Sequence, residues 1–486
     1  MQRIQALTPW PLHGVDQTRA IERLASGQIV PPPLMERAGL SVAQLAMAWA
    51  PHAQHIWVAC GPGNNGGDGL IAATHLHAQG KSVWLTHQRG ERMPADALAA
   101  LKKLELAGID IHDQAPPAWD LGIDALLGLG QDRAPQGPIQ KQLHALRNSP
   151  SPMLCVDVPT GLMADSGVWT DDALQPQRKG PLATLSLLTL KPGLFTFHGK
   201  DASGEVWLDD LGAHAAEQLP PKAWLIAPPR MDPKAHASHK GSHGQLLVLG
   251  GADGMSGAAI LAALAALHAG TGKVFLGLLN HSAWPSVQAQ YPSLMTLAPE
   301  QSARFDGTVV CGCGGGQEIV KHLPPVLSRA KKLVLDADAL NAIAQDSALK
   351  TLLLRRSAAG LETVLTPHPL EAARLLHRSV EQVQSDRLAS AKDLAQDTQC
   401  VVVLKGSGTV IAAPDQIPGI NPSGHPRLAC AGTGDVLAGL LGAAMARGLP
   451  ASPAAQWAVY HHGWVASNWP DQLAFSAEGL ARQLHL

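Results

Sequence analysis

The stretch Cys60 to Leu70, C-G-P-G-N-N-G-G-D-G-L, constrains this chain more than any other. It follows the apolar run His55-Ile56-Trp57-Val58-Ala59, which reads as a buried strand. It precedes Leu70 to Gln79, which has helical spacing and no breaker before Gly80. A glycine-rich link from strand to helix lets backbone amides approach a ligand and turns the positive end of the helix dipole toward it. Asn64, Asn65, Gly66, Gly67 and Asp68 are therefore candidate binding residues, with amide and carboxylate groups suited to ribose hydroxyls, phosphate or a cation. Taken alone, the stretch also reads as a plain surface loop. Its place between strand and helix favours binding, because ligands of open α/β sheets sit at the carboxyl ends of strands.

The pattern then repeats. Residues 1–50 read as a helical preface interrupted at Pro31-Pro32-Pro33. Lys81 to Thr86 reads as a strand, Ala95 to Ala107 as a helix, Gly122 to Leu127 and Met153 to Val158 as strands with the helix Ile139 to Arg147 between them. Ala183 to Leu190 and Glu205 to Leu208 read as closing strands. Such alternation predicts a mostly parallel, doubly wound α/β sheet.

Polar residues recur where these strands end. Asp124 opens D-A-L-L-G-L-G-Q-D-R, Asp157 lies in V-D-V-P and Thr160 in P-T-G. Parallel strands bring such ends to one edge of the sheet, where Asn65, Asp124, Asp157 and Thr160 can converge. An all-oxygen set of this kind suits a hard cation better than zinc. Each residue can equally cap a helix or hold a turn. Arg133, past Gly128-Leu129-Gly130, has the character of a phosphate clamp or of an exposed loop arginine.

Composition shifts near residue 216, and Pro220-Pro221, Pro228-Pro229 and Pro233 punctuate a linker that ends in His239-Lys240-Gly241. A length of 486 residues itself calls for more than one domain. A second α/β series begins at Gln245 to Leu249, with G-G-A-D-G-M-S-G leading into a small-residue helix, Ala258 to Ala269. Strands are predicted at Thr308 to Cys311, Leu333 to Asp336, Thr363 to Leu365 and Val401 to Leu404. The last leads into L-K-G-S-G-T-V, a phosphate-contacting hairpin or a simple β-turn. Asp336-Ala337-Asp338-Ala339-Leu340-Asn341 and Thr366-Pro367-His368-Pro369-Leu370-Glu371 put further polar groups at strand ends.

The strongest signal of this half is Cys430-Ala431-Gly432-Thr433-Gly434-Asp435, which runs directly into the helical Val436 to Ala446. Free amides at such a helix start form an anion hole for a phosphoryl group. Asp435, in the first turn, is placed to take a proton from an attacking hydroxyl, or else to stabilise the dipole. No G-x-x-x-x-G-K-[ST] motif is present, which disfavours a P-loop.

Bulk properties exclude other classes. A net charge of −2 leaves no electrostatic footprint for nucleic acid or an anionic membrane, and 46% hydrophobic with 16% charged residues fits a globular chain with a large core. Residues 1–20 carry no apolar core of signal-peptide type, and Met255 to Ala269 is too short to span a bilayer. The six cysteines lack CxxC spacing, so reduced cysteines in a cytoplasmic protein are expected.

In order and spacing these motifs resemble the bifunctional NAD(P)H-hydrate repair enzymes over nearly the whole chain. L-M-E-R-A-G, G-P-G-N-N-G-G-D-G, D-A-L-L-G-L-G and V-D-V-P-T-G resemble the Rossmann-like NAD(P)HX epimerase domain, assigned to residues 1–216. H-K-G-S-H-G, G-G-A-D-G-M-S-G-A-A, D-A-D-A-L-N, T-P-H-P-L-E, L-K-G-S-G-T and A-G-T-G-D-V-L-A-G resemble the ribokinase-like, ADP-dependent dehydratase, assigned to residues 217–486. The resemblance implies epimerisation of R- and S-NAD(P)HX, then dehydration of the S form to NAD(P)H with release of AMP and phosphate. It implies Asn64 to Asp68, Gly128, Leu129, Gly130, Gln131, Asp132, Arg133 and Asp157 as hydrate-binding residues, and Asn65, Asp124 and Thr160 as ligands of K+. Ala258, Gly314 and His368 would touch the second substrate site. Lys405, Gly406, Ser407, Gly408, Thr409 and Gly434 would hold ADP, and Asp435 would be the base. ADP as phosphoryl donor, Mg2+, K+ and a homo-oligomer are expected, with no nucleic-acid or membrane partner. Asp157 is the candidate acid–base group of the epimerase. Thr160 stands where serine is common, Gly312-Cys313-Gly314-Gly315-Gly316 where G-P-G-L-G is usual, and Arg427 and Cys430 where small or threonine-like residues are usual.

Other readings are compatible with parts of the chain. The second half alone would suit a ribokinase-like small-molecule kinase with an accessory nucleotide-binding domain. A non-catalytic metabolite-binding protein would need the glycine loop but not Asp124, Asp157 and Asp435.

Overall fold

The computed structural model describes residues 1–5, 7–28, 31–90, 93–171, 180–213, 219–228, 231 and 235–484. The domain boundary expected at 216/217, and Pro229 and Pro233 of the linker, lie outside the described residues. Two compact units emerge, residues 1–5 with 10–224 and residues 6–9 with 225–486.

In the first unit the sheet runs Gln2–Arg3, Glu205–Asp209, Leu182–Leu187, Met153–Val156, Leu121–Ala125, His55–Cys60, Ser82–His87, Ile111–His112. All neighbours pair in parallel except the edge strand Gln2–Arg3. The parallel series starts in the middle of this sheet at His55–Cys60, winds one way through Ser82–His87, and returns to the other side at Leu121–Ala125. The carboxyl ends of His55–Cys60 and Leu121–Ala125 therefore flank the switch point, where such sheets open a crevice. Apolar strand faces, together with Leu70, Ile71 and Leu76 of the following helix, form the core. The preface is not helical throughout: it holds the helices Val15–Gln28 and Leu34–Trp49, but begins with the edge strand.

The helix after the glycine stretch starts at Asn64, not at Leu70. Glycine content made its first turns look like loop, because glycine disfavours helix interiors. Their glycines serve packing instead. A Cβ on Gly66 would overlap the Gly61 carbonyl, one on Gly67 would meet the Met35 side chain, and one on Gly69 would lie 2.6 Å from Ala125 Cβ. Likewise Leu182–Leu187 ends short of Leu190, where Leu188 turns at φ 62°.

The sheet of the second unit runs Met295–Thr296, Lys273–Leu278, Gln245–Gly250, Thr308–Cys311, Lys332–Leu335, Glu362–Leu365, Val401–Leu404, Val410–Ala412, Gly419–Ile420. It is parallel up to Val401–Leu404 and antiparallel beyond. The small-residue helices Ser256–His268 and Thr433–Ala446 pack together over it; Gly439 has no room for a side chain against the Ala262 carbonyl. That close approach places the N-terminus of Thr433–Ala446 beside the carboxyl ends of the central strands.

Candidate active sites

A cavity of about 520 Å³ opens at the switch point of the first unit. Asn64, Asn65, Asp68, the whole of Gly128 to Arg133, and Asp157 line it. Gly66 and Gly67 do not; they face the packing contacts already described. Below the cavity Asp124 is fully buried. Its Oδ1 accepts from Thr160 Oγ1 at 2.6 Å and its Oδ2 from the Thr160 amide at 3.1 Å. Burial raises the Asp124 carboxyl, opposed by these bonds and by Arg147. The Leu127 amide also donates to Thr160 Oγ1 at 3.0 Å, so the hydroxyl ties the strand end Asp124 to the Gly128 loop. The Asn65 side chain, 8% exposed and against Gly128, has neither its oxygen nor its nitrogen hydrogen-bonded. A buried amide oxygen without a donor is costly unless a ligand or cation meets it. The donor set is all oxygen, which fits a hard cation such as K+.

On the opposite wall Asp157 ends the strand Met153–Val156 at φ 64°, a left-handed conformation that costs a non-glycine residue energy and concentrates at functional positions. Its Oδ1 receives the Leu187 amide at 3.2 Å and the ammonium of Lys191. Lys191 is fully buried and also donates to the Leu187 carbonyl at 2.8 Å and to Ser186 Oγ at 3.2 Å. Sequence reasoning missed Lys191. The signal was a lone lysine after the apolar strand Leu182–Leu187, a position that buries an ammonium only with a partner.

In the second unit, loops from the central strand ends meet the helix Thr433–Ala446. Gly432 precedes it at φ 90°, and Asp435 lies in its first turn. Burial, then the neighbouring Asp336, push the Asp435 carboxyl up to about 6. The Cys313 thiol hydrogen-bonds Asp435 and is itself held well above its ordinary value, by burial first and then by both carboxylates. Lys405 Nζ donates to Asp336 Oδ1 at 2.7 Å, lies 3.9 Å from Glu371 Oε2, and approaches Gly434. Burial alone would lower this ammonium; Asp336 and Glu371 carry it above its ordinary value. Gly314, at φ 58°, adjoins Ala258, whose Cβ would lie 2.9 Å from a Cβ placed there.

His368 performs a structural task at this site. Its Nδ1 accepts the Leu370 and Glu371 amides at 3.1 and 3.3 Å, while Glu371 accepts the His368 amide at 2.8 Å, a reciprocal cap on Pro369–Leu376. The ring stays half-exposed, and burial lowers its pKa. Burial likewise lifts Glu371 to about 7 against the pull of Lys405. Gly406, Ser407, Gly408 and Thr409 form the turn after Val401–Leu404, closed by Thr409 Oγ1 on the Gly406 carbonyl at 2.9 Å. Behind it lies Arg387, buried, donating to the Leu404 and Lys405 carbonyls at 3.1 Å each. No motif marks Arg387; its role depends on a contact far along the chain. Arg427 is held by Asp471 at 2.7 Å, and Cys430 is exposed.

A doubly wound α/β unit with a crevice at its switch point, followed by a second α/β unit with an acid in the first turn of a glycine-preceded helix, defines a two-part α/β protein with a candidate ligand site in each half. Comparison with known proteins narrows this. The profile described as "YjeF-related protein N-terminus" matches residues 32–193, and that described as "NAD(P)H-hydrate dehydratase" matches residues 246–484. The chain is 36% identical over 457 residues to the bifunctional NAD(P)H-hydrate repair enzyme Nnr of Escherichia coli, covering 89% of this chain and 84% of that one. It is 40% identical over 257 residues to the ADP-dependent (S)-NAD(P)H-hydrate dehydratase of Neisseria meningitidis, covering 52% of this chain and 86% of that one. A Bacillus subtilis ADP/ATP-dependent NAD(P)H-hydrate dehydratase, crystallised with ATP/Mg2+, superposes with a TM-score of 0.46 at 31% identity, covering 52% of this chain and 92% of that one. The chain belongs to the family of bifunctional NAD(P)H-hydrate repair enzymes.

Proposed function

We propose that residues 1–216 interconvert the R and S epimers of hydrated NADH and NADPH, and that residues 217–486 dehydrate the S form at the expense of ADP, releasing AMP and phosphate. The observation that carries the second step is the Asp435 carboxyl, held near 6 beside the open amides of its helix. At neutral pH it is ionised yet basic enough to take the proton of the ring hydroxyl. That oxygen then attacks the terminal phosphoryl group of ADP, whose developing charge meets the amides around Gly434. AMP departs, and expulsion of phosphate with loss of a ring proton restores the dihydronicotinamide. Lys405 to Thr409 and Gly434 would hold the nucleotide, with Ala258, Gly314 and His368 along the nicotinamide side. The capping geometry suits His368 to a contact through its exposed ring face rather than to proton transfer.

In the first unit the cavity wall Asn64, Asn65, Asp68, Gly128 to Arg133 and Asp157 would receive the hydrate. Asn65, Asp124 and Thr160 would hold K+, which would neutralise buried charge and fix the glycine loop. Magnesium is a different case. Ligand atoms of Cys313, Asp336 and Asp435 lie within 4.8 Å of one another. But Lys405 already neutralises Asp336, and a protonated thiol is a poor magnesium ligand. These residues do not make a magnesium cage, so Mg2+ would enter on the phosphates of ADP. No helix among the described residues is long and apolar enough to cross a membrane. A cytoplasmic homo-oligomer completes the proposal.

The test is recovery of reduced-nicotinamide absorbance from a mixture of NADHX epimers. Full recovery with ADP and none without it is expected. Recovery that stalls with one epimer left would remove the epimerase assignment. No recovery with ADP, together with ADP- or ATP-dependent phosphorylation of another small hydroxyl compound, would favour the kinase reading.

A further inference from the structure

The helix Val15–Gln28 precedes the residues matched by the first family profile, yet it forms one wall of the first unit's cavity. Thr18, Arg19, Glu22 and Ser26 line the cavity from a single helical stripe, while Ile21 and Ala25 are buried in the core. This wall is fixed in place. The Val15 amide donates to Asp165 Oδ1 at 3.1 Å, and Thr18 Oγ1 bonds Thr189 Oγ1 at 2.8 Å. Arg19 reaches Gly130 so closely that a Cβ there would lie 2.6 Å from its Nη2. Glu22 is thus a carboxyl group on a rigid element, in the same cavity as Asp157.

The chemistry asks for two such groups. Water adds to an enamine with its proton on the β-carbon and its hydroxyl on the carbon next to nitrogen, so the hydrate is a carbinolamine. Opening the ring is a route that inverts that carbon without oxidation. A base takes the hydroxyl proton, the oxygen's electrons form a C=O bond, and the carbon–nitrogen bond breaks toward nitrogen. An acid protonates that nitrogen. Rotation presents the other face of the aldehyde, and the same two groups run the steps in reverse; no atom or electron is gained or lost.

We propose that Glu22 is the proton donor to the ring nitrogen, working opposite Asp157, which takes the hydroxyl proton. The inference rests on the epimerase reading of this unit. The Lys191 ammonium bonds Asp157 Oδ1 and leaves its other carboxylate oxygen to meet a ligand. Burial, and after it the charge of Asp157, raise Glu22, against Lys191, Arg19 and Arg23. Two carboxyl groups in one cavity, one paired with a buried ammonium and the other without such a partner among the described residues and raised by burial, form the kind of arrangement by which acid and base roles are divided.

The experiment uses the full-length enzyme without ADP and a single purified NADHX epimer, following its conversion to the other by chromatography. Glu22→Gln keeps shape and removes the proton donor; Glu22→Asp keeps the carboxyl. With Glu22→Gln the epimerisation kcat is expected to fall about 10²–10⁴-fold, with KM within roughly threefold of wild type and partial recovery in Glu22→Asp. Thermal unfolding of both variants verifies the fold of the first unit. ADP-dependent dehydration of the pure S epimer verifies the second. A Glu22→Gln enzyme that epimerises within about threefold of wild type, or loses only affinity, overturns the inference. A wild-type enzyme that leaves the single epimer unchanged overturns the epimerase reading itself, a result the variants cannot mimic.

Discussion

Asp435→Asn separates catalysis from stability in opposite directions. The carboxyl lies near 6 in the folded protein against an ordinary 3.8, because it is buried beside Asp336. One pKa unit corresponds to about 1.4 kcal/mol, so holding this group ionised at pH 7 costs the fold on the order of 2–3 kcal/mol. The sign follows from the raised value. The favourable contribution of this group is complete below about pH 4 and is lost as pH rises through about 6. Replacing it with neutral asparagine should therefore stabilise the second unit at pH 7, by roughly 5–10 °C in its thermal midpoint. Near pH 4 the gain should vanish. ADP-dependent turnover should fall about 10²–10⁴-fold, the usual contribution of a general base. In the wild type, turnover should drop about tenfold from pH 7 to pH 5, as protonation removes the base. Calorimetry of both proteins at the two pH values, with absorbance assays alongside, makes the comparison. A variant less stable than wild type at pH 7, or one that retains turnover, would refute the reasoning.

Three further perturbations probe other parts of the structure. Asp124→Asn should abolish any rise in thermal midpoint that K+ gives the wild type over choline at equal ionic strength; if that rise persists, Asn65, Asp124 and Thr160 do not hold the ion. Gly66→Ala should destabilise the first unit by at least about 1–3 kcal/mol in urea unfolding, because its Cβ would overlap the backbone carbonyl of Gly61, which cannot swing aside as a side chain can. Arg387→Met should raise the KM for ADP about tenfold while leaving Asp435 in place, since it removes the donors that pin the Leu404 and Lys405 carbonyls; unchanged nucleotide kinetics would mean that the turn holds itself.

The parts of this enzyme legible in the sequence are those whose physics is local. A strand followed by glycine and a polar residue announces a ligand edge, and G-T-G-D before an apolar helix announces an anion hole with an acid in it. The exact start of the first-unit helix was not legible, because glycine has the same letter whether it frees a loop or makes room for a neighbour. Only the folded chain reveals Gly61 pressed against Gly66, and Val58 and Cys60 against Gly69. His368 stood in a readable motif, but its capping bonds depend on the turn geometry and on Glu371.

Long-range partners explain the rest. Lys191 has no meaning without Asp157, nor Arg387 without the carbonyls of Leu404 and Lys405, and nothing in the spacing along the chain encodes either pairing. Both bury a cation behind a loop of a candidate site. An unpaired buried cation would cost several kcal/mol, so each is tolerated only where the loop's own oxygens surround it. The same bonds then hold those loops in one geometry before any ligand arrives. Preorganisation of this kind lets Asp157 keep a strained backbone at φ 64° and lets the turn after Leu404 keep Gly406 at φ 133°. The motif residues line the candidate sites, and the two buried cations fix where they stand.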